Sequence, residues 1–480
     1  MSGAPHSGDH EPAASDPGQA GLAATAPVQD RAGDWTPPAA SAPVGARLTL
    51  PGSKSITNRA LILAALAGTP TRISGPLRAR DTDLMAGAIR ALGGTVAPDG
   101  PDWLVTPGWQ DSPATVDVGN AGTVLRFVPP AAALARADVE FRGDPRAARR
   151  PVGPLLAALH ELGVQISDEG RQAVPFTVRG RGRVPGGMVS LDASGSSQLV
   201  SGLLLAAPRY DKGAEVRHEG PRIPSAPHIA MTVAMLRGAG ARVETGTPAA
   251  GGTRGAAPQV WRVHPGVLSP GTIDVEPDLS NAVPFLAAAL VTGGEVTIAG
   301  WPEHSLQAGD QILDTLARMG GTVTRADGGL RITGSGMIHG ITADLRDVSE
   351  LTPVLVALAA LADSPSTLTG IGHMRSHESD RLAALASELG AFGGDVTELA
   401  DGLHVRPRPL RADGAIFDSH DDHRLVMAAA VLGLAVPGLR VAGAATVGKT
   451  FPGFARLWQQ MLEQSPQSPQ SPPSPPEPAP

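Results

Sequence analysis

Two apolar rhythms alternate along the chain. In the first, an amphipathic stretch ends at glycine and turns into a short run fit for a strand. Ala91-Leu92-Gly93-Gly94-Thr95-Val96 sets the pattern. It recurs as Glu161-Leu162-Gly163-Val164-Gln165-Ile166, as Arg237-Gly238-Ala239-Gly240-Ala241-Arg242-Val243 and as Arg318-Met319-Gly320-Gly321-Thr322-Val323. A looser copy is Glu388-Leu389-Gly390-Ala391-Phe392-Gly393-Gly394-Asp395-Val396. Each follows a helical period such as Asp310–Ala317, so each predicts a helix, a glycine C-cap and a strand. The spacing of roughly 70–80 residues is too long for a solenoid. It predicts α/β units of two helices and several strands.

The second rhythm is a small or polar opening before a nearly all-apolar helix. The openings are Gly119–Arg126, Ser194–Val200, Asp278–Asn281, Asp347–Glu350 and Asp421–Arg424. Helices apolar all round must be buried. Their polar N-termini converge if the units share an axis. The first such helix follows Pro51-Gly52-Ser53-Lys54-Ser55-Ile56-Thr57-Asn58-Arg59. Arg47–Leu50 reads as a strand that Pro51-Gly52 breaks, and Ser53 or Ser55 caps the helix. Lys54 then sits at the positive end of a helix dipole with Arg59 about one turn in, which suits a phosphate or a carboxylate.

Composition narrows the class. A length of 480 residues allows two domains or more. With one Tyr in the chain, the core is built from Leu, Val, Ile and Ala. Cysteine is absent, which excludes disulfides, a Cys nucleophile and a Cys-ligated metal, and agrees with the cytoplasm. No apolar run reaches the length of a membrane span, and no signal-peptide pattern opens the chain. The net charge is −7, of which residues 1–42 supply −4. No basic stripe interleaved with aromatics occurs, so nucleic acid is not an expected partner. Residues 1–42 and the Ser/Pro/Gln tract 463–480 lack periodicity and are expected to be disordered tails.

Candidate chemistry gathers near the polar openings. The cations are Lys54, Arg59, Arg126, Arg150, Arg381, Arg424 and Lys449. The small donors are Ser55, Ser196, Ser197, Gln198 and Ser225. The carboxylates are Glu350 and Glu378, and the imidazoles His377 and His423. Such a mixture suits a substrate with several negative charges and a proton-transfer step. Pooled cations repel, so the site is expected to be loose or open unless anions fill it. His420-Asp421-Asp422-His423 has no further ligand cluster nearby, and no metal is expected. Gly443–Thr450 has P-loop spacing, but Phe451-Pro452-Gly453 follows where a helix must start, so the match is fortuitous.

In order, Leu50–Arg59, Gly119-Asn120-Ala121-Gly122-Thr123 with Arg126, Arg150-Pro151, Ser196-Ser197-Gln198, His377-Glu378-Ser379-Asp380-Arg381, Asp422-His423-Arg424 and Lys449-Thr450-Phe451-Pro452 resemble the 5-enolpyruvylshikimate-3-phosphate (EPSP) synthase family over roughly residues 43–462. The resemblance implies an inside-out α/β barrel of two similar globular domains, each of three βαβαββ units, with the active site in the cleft between them. One domain would hold residues 53–275, and the other 43–52 with 276–462. The implied reaction moves an enolpyruvyl group from phosphoenolpyruvate to the 5-hydroxyl of shikimate 3-phosphate, with no cofactor, in a monomer. Glu350 would accept the hydroxyl proton, Glu378 would act at the methylene, and Lys54 would bind phosphate and donate a proton. Lys54, Ser55, Arg59, Ser196, Ser197, Gln198, Ser225, Glu350 and His377 would hold shikimate 3-phosphate. Lys54, Gly122, Arg150, Gln198, Arg381, Arg424 and Lys449 would hold phosphoenolpyruvate. Gly122 at its tight turn would leave room for glyphosate.

Three positions depart from the family's usual residues: Glu350 for Asp, His377 for Lys and His228 for Tyr. His377 is expected to lose its charge above about pH 6.5. A sister family acts on a UDP-aminosugar, but usually carries a loop Cys and lacks the Ser-Ser-Gln and His-Glu-x-Asp-Arg sets. A paralogue that had lost catalysis would be expected to lose Lys54, Glu350 or Glu378, and all three are in place.

Overall fold

The computed structural model describes residues 34–246, 259–326 and 328–464. The glycine junctions fall where the pattern puts them. Helices Arg80–Ala91, Gly153–Glu161, Pro227–Gly238, Gly309–Arg318 and Arg381–Ala391 are followed by strands starting at Thr95, Gln165, Val243, Thr322 and Asp395. Gly93, Gly163, Gly240, Gly320 and Gly393 sit between them with φ from 86° to 106°, where a side chain is strained. Each of these strands pairs antiparallel with the next one along the chain, as Thr95–Asp99 does with Asp102–Thr106. The second strand of each hairpin pairs with an earlier one, and a parallel strand closes the sheet. Five four-stranded sheets share this order.

The other helix set forms the interior. Lys54–Leu66, Gly122–Ala132 and Ser197–Ala206 pack on one another, buried almost all round. Leu279–Thr292, Thr352–Ala360 and His423–Gly433 do the same in a second cluster. Sheets lie outside them with one face buried and one exposed. Two cores result: one runs from Ile56 to Leu268, and the other joins Val44–Leu50 to Leu279–Met461. Helices inside and sheets outside make an inside-out α/β barrel of two similar halves.

The chain crosses between the halves twice, side by side. The Ser53 N–H donates to the Glu276 carbonyl at 2.8 Å, and the Asp278 N–H to the Pro51 carbonyl at 3.0 Å. A Cβ at Gly52 would strike the Gly75 carbonyl oxygen, so the crossing requires glycine.

Three features differ from expectation. The sixth unit has only a two-stranded sheet, Ile416–Asp418 with Arg440–Ala442, because its last helix, Phe454–Glu463, is not followed by a hairpin among the described residues. The N-terminal tail was expected to run to residue 42, but residues 34–42 are packed against that short sheet. Trp35 pairs antiparallel with Val441 and sets its ring edge-on to Phe454 at 6.1 Å, and Pro37 is buried. Trp35 covers an edge that a hairpin covers in the other five units, and Pro37 packs beside Gly433 of the interior helix. The C-terminal tail was expected to start at residue 463, but Glu463 ends the last helix and Gln464 caps it; residues 1–33 and 465–480 of the expected tails lie outside the described residues. No described helix is long and apolar enough to cross a membrane.

Candidate active site

All six interior helices open onto one cavity between the two cores. From the first half come Lys54 and Ser55, Gly122 and Arg126, and Ser196 to Gln198. From the second come Ser280, Glu350, His423 and Arg424. The loops add Arg150 and Ser225 on one side and His377 and Glu378 on the other, where Arg381 opens the helix Arg381–Ala391.

Short polar caps start these helices and also tie the walls together. Ser53 and Ser196 cap their own helices. Asp278 caps two: Oδ1 accepts from the Asn281 N–H at 2.9 Å, and Oδ2 from the Lys54 N–H at 3.1 Å across the cleft. Asp422, fully buried, caps His423–Gly433 through the Arg424 N–H. It also accepts Arg381 Nε at 2.7 Å and Nη2 at 3.0 Å.

The cations are held by acceptors that leave part of each guanidinium facing the cavity. Arg126 donates to the Pro151 carbonyl and to Gln198 Oε1 at 3.0 Å, which leaves the Gln198 amide N–H groups free to turn outward. Arg150 donates to the Asn120 carbonyl, while its buried Nε has no partner. Burial and, for Arg126, the charge of Arg150 push both guanidinium pKa values down. Two buried cations side by side favour an anion between them. Lys54 Nζ pairs with Asp81 at 3.3 Å.

The carboxylates differ. Glu378 Oε2 meets His423 Nδ1 at 2.9 Å. Burial alone would push the Glu378 pKa up, but His423, Lys54 and Arg381 outweigh it and hold the carboxyl well below its usual range. Burial holds His423 below its ordinary pKa despite Glu378, and its Nδ1 faces the carboxylate. Glu350 keeps a buried oxygen, Oε2, with no hydrogen-bond partner. Glu378, Asp422 and His423 bring ligand atoms within 4.8 Å of one another, but Arg381 and the internal His423–Glu378 bond already occupy them.

Residues 38–458 match the family model of EPSP synthase (3-phosphoshikimate 1-carboxyvinyltransferase). A 3-phosphoshikimate 1-carboxyvinyltransferase of Kocuria rhizophila is 48% identical over 431 residues, covering 88% of this chain and 94% of that one. The chain belongs to the EPSP synthase family. The structure of EPSP synthase from Acinetobacter baumannii superposes with a TM-score of 0.73 at 24% identity, covering 89% of this chain and 98% of that one. The enolpyruvyl transferase NikO from Streptomyces tendae gives 0.69 at 18% identity, covering 88% and 96%. Both show the fold.

Every family position expected at the site lines the cavity except Arg59 and Lys449. Arg59 lies behind the wall, donating to Thr232 Oγ1, Ser201 Oγ and the Ser55 and His228 carbonyls, with Phe127 under its guanidinium. Burial lowers its pKa to about 9. It sits in a helix buried on all sides, so its side chain enters the core. Lys449 donates to the Asp421 carbonyl at 2.7 Å from the turn Ala444–Lys449, outside the cavity lining.

The cations were expected to hold the walls apart, yet the walls touch. Ser225 Oγ lies 3.2 Å from Ser349 Oγ, and Arg222 pairs with Asp347 at 3.0 Å. Asp81, Glu350, Glu378 and Asp422 stand among the cations and offset their repulsion. His377 is pushed well below its usual range by burial, then by Arg381 and His373, so it is uncharged well below the expected threshold. Ser280 and Ser349, from the polar openings, also line the cavity, as do Asp81 and His373, which no local pattern marked.

Proposed function

We propose that this cavity carries out the family reaction: the enolpyruvyl group of phosphoenolpyruvate moves to the 5-hydroxyl of shikimate 3-phosphate, and phosphate leaves. The observation that carries this reading is the unpartnered Glu350 carboxylate oxygen in a cavity walled by six helix N-termini and buried arginines. Arg150, Arg381 and Arg424 offer forked donors to the carboxylate and phosphate of phosphoenolpyruvate, with Gly122 beside them. Lys449 reaches that group by a shift of its turn. Ser55, Ser196, Ser197 and Ser225 bind shikimate 3-phosphate with His377, while Arg59 supports Ser55 from behind. Gln198 stands between the two substrates.

Glu350 accepts the proton of the 5-hydroxyl as its oxygen attacks C2 of phosphoenolpyruvate. The double-bond electrons take a proton at C3, supplied by Lys54, which also contacts the phosphate. Glu378, held ionised, then removes a methyl proton as the C2–O bond breaks and phosphate departs with that electron pair. The residues supply the positioning and the charges, and the reaction requires no metal or organic cofactor.

The two cores support a division into domains at the crossings, one of 53–275 and one of 43–52 with 276–462. The same reading makes the protein a cytoplasmic monomer without a membrane or nucleic-acid partner.

Phosphate release with shikimate 3-phosphate against UDP-N-acetylglucosamine as acceptor tests the reaction. Turnover is expected only with the former, and turnover with the aminosugar alone would overturn the reading. Glu350→Ala and Lys54→Ala are each expected to lower kcat at least 100-fold, in the range that general acid–base groups contribute, with the circular-dichroism spectrum retained.

A further inference from the structure

His373 stands on the turn Gly372–Ser376 and was marked by no sequence motif. Its Nε2 lies 3.0 Å from Ser349 Oγ. Ser349 Oγ lies 3.2 Å from Ser225 Oγ. Ser349 is buried, and the second contact crosses the cleft from one half to the other. Three polar groups of the cavity wall thus form a line from His373 through Ser349 to Ser225.

Hydrogen counting fixes the direction of that line. A serine hydroxyl has one hydrogen, and a phosphate or phosphate ester near neutral pH presents mainly acceptors. If Ser225 gives its hydrogen to the substrate phosphate, it must accept from Ser349. Ser349 has then spent its own hydrogen and must accept from His373. His373 must carry its proton on Nε2. Burial lowers its pKa to about 4, so the ring is neutral and has one N–H to place. Bonds aligned in one sense polarise one another.

We propose that His373 is a positioning residue that acts through Ser349 to aim the Ser225 hydroxyl at the phosphate of shikimate 3-phosphate. This rests on the reading of Ser225 as a ligand of that substrate. The line also spans both halves, so binding the phosphate strengthens a bond that closes the cleft.

The test is steady-state kinetics of Ser225→Ala, Ser349→Ala, His373→Ala and the Ser349→Ala/His373→Ala double variant, each varied in both substrates. Each single variant is expected to raise KM for shikimate 3-phosphate about five- to tenfold, with kcat and KM for phosphoenolpyruvate changing much less. The double variant should be no worse than the worse single one, because one broken link breaks the line. A merely structural role would instead move both KM values and the melting temperature together. A silent Ser349→Ala, with His373→Ala impaired, would overturn the relay and leave His373 as a direct contact. Multiplying effects in the double variant would overturn it too. If His373→Ala fails to fold, Ser225→Ala/Ser349→Ala decides: equality with Ser225→Ala supports the relay, and a further loss overturns it. Normal KM in Ser225→Ala sinks the ligand reading, while wild-type turnover tests the reaction separately.

Discussion

At the scale of single residues, the site depends on how closely buried charges approach the backbone. A Cβ added at Gly122 would lie 2.5 Å from Arg150 Nη2 and 2.9 Å from Arg126 Nη1. Both guanidiniums are buried and bonded to carbonyls, so moving either one breaks the bonds that aim it at the cavity. Gly122→Ala is therefore expected to displace the Arg150 fork and raise KM for phosphoenolpyruvate severalfold. KM for shikimate 3-phosphate should change little, which the same phosphate-release assay reads. The histidines give a second prediction. Burial lowers the pKa of His228, His373 and His377. Each is neutral in the fold and takes up a proton on unfolding below about pH 6.5. Their contribution is present above that pH and is lost as pH falls toward the folded value, by about 1.4 kcal/mol per unit for each ring. His420, raised by Glu388, acts in the opposite sense alone. Urea unfolding should show stability falling from pH 7 to pH 5, with a shallower slope in His373→Asn. An unchanged slope in that variant would remove His373 from the account.

At the scale of elements, helix ends carry both architecture and chemistry. Asp278 is the sharpest case, because its two oxygens cap one helix in each half. Losing a cap costs about 1 kcal/mol, so Asp278→Ala is expected to cost about 2 kcal/mol in chemical denaturation. It should also lower turnover by freeing the Lys54 turn. Asp278→Asn keeps an acceptor and should cost less; equal losses would mean that capping is not the cause. The helix–glycine–strand junctions were legible because a left-handed φ needs a residue without a side chain, and that requirement recurs at each of five turns. The polar openings of the buried helices were legible for a related reason: a helix apolar all round can meet water only at its ends. Asp81 and His373 were not, because each sits in an ordinary polar context and gains its role only from a distant partner, Lys54 or Ser349. The burial of Arg59 was implied by the helix that carries it, since no face of that helix is solvent. Residues 34–42 were misread because a Pro-rich segment without periodicity can still cover a sheet edge through Trp35.

At the scale of the molecule, two cores joined by two adjacent crossings meet again across a charged cavity. The crossing at Gly52 has no room for a side chain, and Ser225 with Ser349 and Arg222 with Asp347 are polar contacts between the halves. An anion bridging Lys54 and Arg150 of one half to Arg381 and Arg424 of the other adds attraction between the halves. It binds the folded chain and not the unfolded one, so it stabilises by mass action. At ten times its dissociation constant the gain is about 1.4 kcal/mol. For a single cooperative unit of both halves that raises the melting temperature by about 1–2 °C. Phosphate or sulfate at millimolar concentration is expected to produce such a shift, and chloride at equal ionic strength is not. Arg150→Ala should reduce the shift, because it removes one buried cation without touching the crossings. If chloride matched phosphate, or if phosphate moved nothing, the six helix ends would not be acting as one anion site. A shift confined to one of two separate transitions would mean that the halves respond independently. A single transition that moves as a whole is the outcome expected of a site shared between them.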